Sequence, residues 1–149
     1  MKKILIPLLF WITSVTHATS VAFEGIELGE STCKSYFDLH KAVLQDYDKK
    51  NDIFIYYNFS PLPISSVTIQ CGRDDKIVAI MLAYAKDQPK ARSILENWTI
   101  DTYGKPDSTS VDAKGKRDIV WNQKTMSIHL MDQTKENSYT DGFLVFILN

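Results

Sequence analysis

The stretch that most constrains the fold is residues 76–82 (KIVAIML), which are apolar at nearly every position. A strand with apolar side chains on both faces is typical of the centre of a sheet, where both faces are covered. A helical pattern and two β-prone runs precede this stretch, and the same order recurs after it. The sequence therefore predicts a central strand that closes one half of the chain before a second half begins.

In the first half, an apolar stripe predicts one amphipathic helix, because its members recur at spacings of three and four. The stripe consists of Cys33, Tyr36, Phe37, His40, Val43, Leu44 and Tyr47. Residues 21–28 before it are predicted to form a short strand. Residues 53–59 and 66–71 after it are β-prone and predict two further strands.

The second half repeats this order with a helix and three strands. Ala91, Ile94, Leu95, Trp98 and Thr102 form the apolar stripe of the helix. Gly104 and Pro106 form its stop signal. Strands are predicted at residues 118–123, 125–131 and 142–148. The polar stretches 105–117 and 132–141 are predicted to be loops.

The two halves, residues 23–83 and 84–149, are related by a constant offset. Asp-Ile occurs at residues 52–53 and again at 118–119, which is 66 positions later, and 66 positions also separate Ile77 from Phe143. We therefore predict an α+β fold with an antiparallel sheet, two amphipathic helices on one face and a tandem α-β-β-β repeat. The alternative is two unrelated hairpins that share this order by chance.

The N-terminal residues have the pattern of a bacterial secretory signal peptide. Lys2 and Lys3 precede a short apolar run, and small residues follow it. Cleavage is expected after Ala18, with Ala22 as the alternative, which makes residues 1–18 the leader and 19–149 a single domain. The apolar run is shorter than the ~20 residues of a spanning helix, although an N-terminal membrane anchor remains the alternative. We expect a periplasmic or secreted protein without stable membrane insertion after cleavage.

The charge balance bears on the partners of the exported chain. Removing Lys2 and Lys3 lowers the 17 basic residues to 15 against 18 acidic ones, a formal charge of −3. Nucleic acids and anionic membranes attract basic surfaces. The composition therefore argues against both as partners.

Two cysteines, Cys33 and Cys71, make up the whole cysteine content. In an exported domain such a pair usually forms a disulfide, and a spacing this long suits neither a zinc site nor a redox motif. Cys33 begins the first helical stripe, and Cys71 shares a strand face with Val67 and Ile69. We predict a Cys33–Cys71 disulfide, with two free buried thiols as the alternative.

The residues that commonly carry chemistry form no recognisable motif. His40 lies on the first helical stripe, where a hydrogen-bonded core histidine is the simpler interpretation. His129 lies on the strand face opposite Ile128 and Leu130. Neither has a second histidine or a carboxylate at metal-ligand spacing, and no serine lies in a Gly-flanked nucleophile turn. We predict no catalytic residue, no metal site and no cofactor.

One face of the sheet is predicted to be a binding surface. The helices are expected to cover Ile55, Ile69, Met81, Trp121, Ile128 and Val145. The opposite face is then expected to present Phe54, Tyr56, Ile80, Leu82, Val120, His129 and Phe146. A large apolar patch on a monomer marks an interaction site, and aromatic side chains are common interface anchors. The alternative is that terminal segments, loops or sheet curvature bury this face.

Two short segments resemble patterns in small exported bacterial domains that carry two helices on a curved antiparallel sheet. These are residues 23–29 (FEGIELG) before the first helix and residues 103–106 (YGKP) after the second. The tandem order is similar to the β-lactamase inhibitor protein family, and a single half is similar to the small lipoprotein family of the outer-membrane assembly machine. The leader lacks the lipidation cysteine of the latter. The resemblance implies binding to another protein without catalysis.

The sequence thus favours an exported, non-enzymatic domain that binds another protein, such as an inhibitor or immunity-type factor. The alternative is an envelope hydrolase whose site is assembled from loops near His129.

Overall fold

A computed structural model describes residues 21–57, 60–85, 88–133 and 140–149. The predicted leader, residues 1–18, lies outside these ranges. So do residues 58–59 of a predicted strand and most of the predicted loop 132–141. No helix of the described ranges combines the length and apolar character needed to cross a membrane.

The described chain folds into one antiparallel sheet with two α-helices. In chain order the elements are α1 (Cys33–His40), β1 (Leu44–Asp48), β2 (Ile53–Tyr57), β3 (Ile64–Cys71), β4 (Ile77–Ala85), α2 (Ala91–Tyr103), β5 (Ser108–Val111), β6 (Arg117–Asn122), β7 (Met126–Asp132) and β8 (Thr140–Leu148). The strand order is β1-β2-β3-β4-β8-β7-β6-β5. The predicted α+β class with an antiparallel sheet is confirmed, and the apolar stretch lies in β4 at the centre.

Each helix is followed by four strands, so the predicted α-β-β-β order omits one strand in each half. The first missing strand is β1, which occupies the end of the predicted first helix. That helix ends at His40, and a 3₁₀ turn, Lys41–Val43, leads into the strand. The second is β5, which lies within the predicted loop 105–117.

Both missed strands lie at sheet edges, which explains why their sequences do not reveal them. Four of the five β1 residues and all of β5 are exposed, so neither strand has a buried face that would impose an apolar alternation. Their backbone groups are satisfied by pairing with β2 and β6.

The predicted strand at residues 21–28 is also wrong. The chain forms a 3₁₀ turn there, Phe23–Gly25, and Val21 faces Glu27 in an isolated bridge. Glu24 and Gly25 have φ of 53° and 75°, which turn the backbone away from an extended path. Phe23 is buried by the turn and its ring meets Trp98 of α2 edge-on.

Helix α2 ends at its predicted stop signal, although Ile94 and Thr102 of the predicted stripe are exposed and Thr99 is buried instead. It ends at Tyr103, and Gly104 adopts φ of 88° while its N–H donates to the Ile100 carbonyl. The carbonyl of Gly104 in turn accepts a hydrogen bond from the Trp121 indole at 2.9 Å. The helix stop therefore also satisfies the polar atom of a fully buried tryptophan.

One face of the sheet, which we call the helix-side face, forms the core with α1 and α2. On the α1 side, the rings of Tyr36 and Tyr56 meet edge-on at 5.3 Å. On the α2 side, the ring of Trp98 meets Phe146 at 6.3 Å. The core residues on this face, from strand to strand, are Tyr56, Val67, Ile69, Ile80, Leu82, Leu144, Phe146, Ile128, Leu130, Ile119 and Trp121.

The predicted disulfide joins Cys33 to Cys71, with their Cα atoms 6.1 Å apart. It connects the first residue of α1 to the last residue of β3. The Cys33 N–H also donates to the Asp75 carbonyl in the turn after β3. The start of α1 is therefore attached to the sheet by both a covalent and a hydrogen bond.

Candidate functional site

The face opposite the helices, which we call the open face, is the largest candidate surface. Strand pairing defines it, because residues directly opposite each other in an antiparallel sheet point to the same side. Its apolar members are Ile53, Ile55, Tyr57, Ala79, Met81, Ala83, Phe143, Val145, Ile147, Met131 and Val120. Its polar members are Asp46, Asp48, Ser66, Thr68, Gln70, Ser127, His129, Asp118, Asn122, Ser108 and Ser110.

Most apolar side chains of the open face remain partly accessible, whereas Ala83 and Val145 are buried. Tyr57 is 56% exposed and Ile147 is 41% exposed. Ile55, Met81 and others between them are half-buried by their neighbours. None of the apolar members belongs to the core cluster formed by the helix-side face. The open face is thus a second apolar surface of the same sheet.

The open face is large enough for a protein interface. With strands about 4.8 Å apart, the eight-stranded sheet is roughly 34 Å wide, and three rows of side chains extend roughly 15–20 Å along the strands. The resulting area of roughly 600 Å² approaches the about 800 Å² that each partner contributes to a standard complex.

Five of the seven residues predicted for the binding face lie on the helix-side face instead. Phe54 is half-buried against the core, and the other four are buried: Tyr56, Ile80, Leu82 and Phe146. Strand pairing places them on this face. Phe54 is opposite Ile69, Ile69 is opposite Ile80, and Ile80 is opposite Phe146, so all four side chains point to the same side of the sheet. The prediction that these five side chains form the exposed face was wrong. Val120 and His129 lie on the open face.

The error has a physical cause in the strands concerned. In β2, β4 and β8 both alternate sets of side chains are apolar, so periodicity does not distinguish the two faces. In β6 and β7 one set contains Asp118, Ser127 and His129, which marks it as the outer side. For β6 and β7, the side chains predicted to face the helices do so. For β2, β4 and β8, the side chains predicted to face the helices lie on the open face.

His129 is paired with a carboxylate on the neighbouring strand. Its Nδ1 lies 3.6 Å from Asp118 Oδ1, and the two side chains are 27% and 39% exposed. Two hydroxyls also lie on this side of the sheet, since Ser110 is opposite Asp118 and Ser108 is opposite Val120. The carboxylate strand therefore separates the serines from the imidazole. A nucleophilic triad needs the imidazole between serine and carboxylate, so this order does not suit one.

A cleft of about 440 Å³ lies on the other side, between the first 3₁₀ turn and α1. Burial raises the pKa of the Glu24 carboxyl, and nearby His40 partly opposes the shift. The Nδ1–H of His40 donates to the Tyr36 carbonyl at 3.0 Å, and the two rings stack. No sequence signal marks Glu24, which lines this cleft from a left-handed backbone conformation in the 3₁₀ turn.

The hydroxyls of this cleft serve the start of α1. Thr32 Oγ1 accepts from the Ser35 N–H as the helix N-cap, and Ser31 Oγ accepts from the Glu27 N–H. They are thus engaged in capping rather than positioned as nucleophiles. Among the residues described, no group of three or more His, Cys, Asp or Glu side chains is placed to hold a metal ion.

A mostly buried polar network fixes one end of the sheet. Asp132 accepts hydrogen bonds from Arg92 of α2, from the Tyr84 hydroxyl at 3.1 Å and from the Arg117 N–H at 2.9 Å. The Arg92 and Asp132 side chains are only 15% and 19% exposed. The network joins α2, β4, β6 and β7, and it therefore holds the strands of the open face in register.

No protein-family model matches the chain, and no curated protein does. The fold is similar to the crystal structure of YjgB, a DUF4309 family protein from Bacillus subtilis, with a TM-score of 0.57 and 12% sequence identity. The match covers 85% of this chain and 84% of that chain. A likeness at this identity concerns the fold alone.

Proposed function

We propose that this protein is an exported, non-enzymatic binding domain that contacts another protein through the open face of its sheet. The observation that carries the proposal is a broad apolar surface outside the core, on the sheet side opposite both helices. The resemblance to exported inhibitor-type domains supports the same reading. An inhibitor or immunity-type factor acting on an envelope or secreted protein is the form of binding we favour.

The chemistry of the open face specifies the kind of partner. Its centre contains the half-buried Met81 and Phe143 and no charged side chain, while Asp118 and His129 lie toward the β5 edge and Asp46 and Asp48 lie at the β1 edge. Interfaces of this type have an apolar core enriched in aromatic residues and methionine. The partner surface we propose is therefore apolar and uncharged at its centre, on a folded protein of the envelope or the medium.

Export is supported by the disulfide, because such bonds persist in oxidising compartments. The fold also bears on the site of leader cleavage. The Ala22 N–H donates to the Ile26 carbonyl, and the Tyr103 hydroxyl donates to the Val21 carbonyl. Cleavage after Ala18 preserves both contacts, whereas cleavage after Ala22 removes them. We therefore expect the mature protein to begin at Thr19, which N-terminal sequencing of the exported protein would test.

We also propose that the chain is a tandem repeat whose two units each place one helix on the same side of the sheet. The strand order β1-β2-β3-β4-β8-β7-β6-β5 is symmetric about its centre, where the last strand of each unit meets the other. The repeated Asp-Ile pair lies near the start of β2 and of β6, although Ile53 belongs to the open face and Ile119 to the helix-side face. A doubled sheet provides a wider binding face than one unit alone.

The alternative of an envelope hydrolase rests on the His129–Asp118 pair. We regard the pair as a polar border of the binding face, because the serines of β5 neighbour the strand of Asp118 and not the strand of His129. Substituting His129 by Ala would distinguish the two. If the protein is a hydrolase, the variant loses the hydrolytic activity of the wild type. Under our proposal, the purified variant and the wild type have the same hydrolytic activity.

The binding proposal is tested by capture from the native envelope and medium with two matched variants. Met81→Lys/Ile147→Lys places charges on the open face, where flexible lysine stems can reach solvent. Leu39→Lys/Ile94→Lys places the same charges on exposed apolar positions of α1 and α2, which are 80% and 43% exposed. We expect a protein retained by the wild type to be lost with the first variant and kept with the second.

Equal retention by both variants would contradict the proposal, as would the absence of any specifically retained protein in repeated trials. Circular dichroism and thermal unfolding of both variants would establish that neither has lost its fold.

A further inference from the structure

The two edges of the sheet differ in a way that points to a second interaction surface. The β1 edge has an irregular register between Leu44 and Asp46, and it carries Asp46 and Asp48. Bulges and charges of this kind protect an edge strand from pairing with another chain. The β5 edge has an unbroken register with β6, contains only Ser, Thr and Val, and is exposed along its whole length.

The backbone of β5 offers hydrogen-bonding groups to solvent. The Asp112 N–H donates to the Lys116 carbonyl of the β6 side. Because N–H groups alternate in direction along an antiparallel strand, those of Ser108 and Ser110 point to β6 and those of Thr109 and Val111 point outward. Val111 is 61% exposed. An added strand can therefore pair along β5 without displacing a described contact.

Basic side chains flank this edge at both ends. Lys105 precedes β5, and Lys114, Lys116 and Arg117 follow it; all four are exposed. None of them forms an ion pair within the described ranges. Two carboxylates lie among them: Asp107 accepts from the Asn122 N–H, and Asp112 accepts from the Lys114 and Lys116 N–H groups. Both keep their negative charge, so residues 105–117 carry four positive and two negative side chains, a net charge of 4 − 2 = +2.

We infer that the β5 edge binds an extended acidic segment of a partner protein by strand addition. Backbone pairing supplies the affinity in such complexes, and the flanking charges select the sequence. An acidic segment complements these four cations, which outnumber the two carboxylates of residues 105–117. This site lies at the edge of the sheet, goes beyond the proposed open-face contact and does not require it.

The probe is a short labelled peptide of alternating valine and glutamate, compared with its valine and lysine counterpart by fluorescence anisotropy. We expect the acidic peptide to bind and the basic one not to bind. Raising NaCl from about 50 mM to about 500 mM should weaken binding, because the flanking charges are exposed to solvent.

Two pairs of variants identify the site. Val111→Pro removes the outward N–H that would donate to the peptide backbone. We expect it to weaken binding at least about tenfold, because the loss of one hydrogen bond corresponds to a change of about that size in the dissociation constant. Val111→Thr keeps the N–H and should bind normally. Lys114→Glu/Lys116→Glu should also weaken binding about tenfold, whereas the matched reversal Lys49→Glu/Lys50→Glu at the β1–β2 turn should leave it unchanged.

Three results would overturn the inference: no binding of the acidic peptide to the wild type, equal binding of both peptides, or binding that survives Val111→Pro. Binding that survives Val111→Pro would mean that the peptide is held by charge attraction alone, without backbone pairing to β5. Self-association that Val111→Pro abolishes would assign the edge to a second copy instead. Unchanged peptide binding by Met81→Lys/Ile147→Lys would show that this site is independent of the open face.

Discussion

The polar network between α2 and the sheet yields a quantitative prediction about stability. Asp132→Ala removes the carboxylate that pairs with Arg92, leaving a guanidinium that is only 15% exposed. The Nε and Nη2 atoms of Arg92 are buried and have no hydrogen-bond partner among the described residues. The Tyr84 hydroxyl, 3.3 Å from Arg92 Nη1, then remains as an acceptor in the described part of the chain, but it carries no charge to balance the guanidinium.

Breaking a buried ion pair by removing one partner costs about 3–5 kcal/mol. The residual exposure of the pair places Asp132→Ala near the lower end, at about 3 kcal/mol. Arg92→Met leaves Asp132 with the Tyr84 hydroxyl and the Arg117 N–H as donors. It should therefore cost less, about 2 kcal/mol. A domain with about 5–15 kcal/mol of stability stays folded in both cases.

The double variant Arg92→Met/Asp132→Ala tests this reasoning, because it also removes the Arg92 guanidinium that Asp132→Ala leaves buried without its carboxylate. We expect it to be about 1 kcal/mol more stable than Asp132→Ala alone. The assay is urea unfolding followed by the fluorescence of Trp98 and Trp121. A cost below about 1 kcal/mol for Asp132→Ala, or a double variant less stable than that single variant, would refute the account.

Three further predictions concern stability. Reducing the Cys33–Cys71 disulfide should lower the free energy of unfolding by about 4 kcal/mol in the chain-entropy model, measured by urea unfolding with and without reductant; no change would contradict a structural role for the bond. Gly142→Ala should be destabilising by about 1–3 kcal/mol in the same assay, because a Cβ there would overlap the Tyr84 hydroxyl and the Met131 carbonyl oxygen; an unchanged midpoint would refute that close approach. Burial raises the pKa of Tyr56, Tyr84 and Tyr103 to about 12. Tyrosines of the unfolded chain ionise at about pH 10, whereas these three stay protonated in the folded protein up to pH about 12. The free energy of unfolding should therefore fall between pH about 10 and about 12; urea midpoints that stay constant across that window would contradict the raised pKa values.

The sequence was sufficient for the elements with strong and unambiguous patterns. The apolar run of β4 indicated its central place, the stripe and glycine stop of α2 indicated its limits, and the predicted export indicated the disulfide. These features depend on local chemistry or on burial that periodicity reports directly.

The candidate sites depended on long-range pairing that periodicity does not report. The open face could not be assigned from β2, β4 and β8, because both of their faces are apolar. The β5 edge looks like a polar loop, since its strand conformation comes from pairing with β6. Arg92 and Asp132 are 40 positions apart, and nothing local indicates that they meet.

The central claim is that the open face is where a partner protein binds. A photo-crosslinking amino acid at Met81, compared with one at Leu39, tests it most directly in the native envelope. We predict a discrete crosslinked protein from Met81 and none from Leu39. Crosslinking from Leu39 alone, or from neither position, would contradict the account.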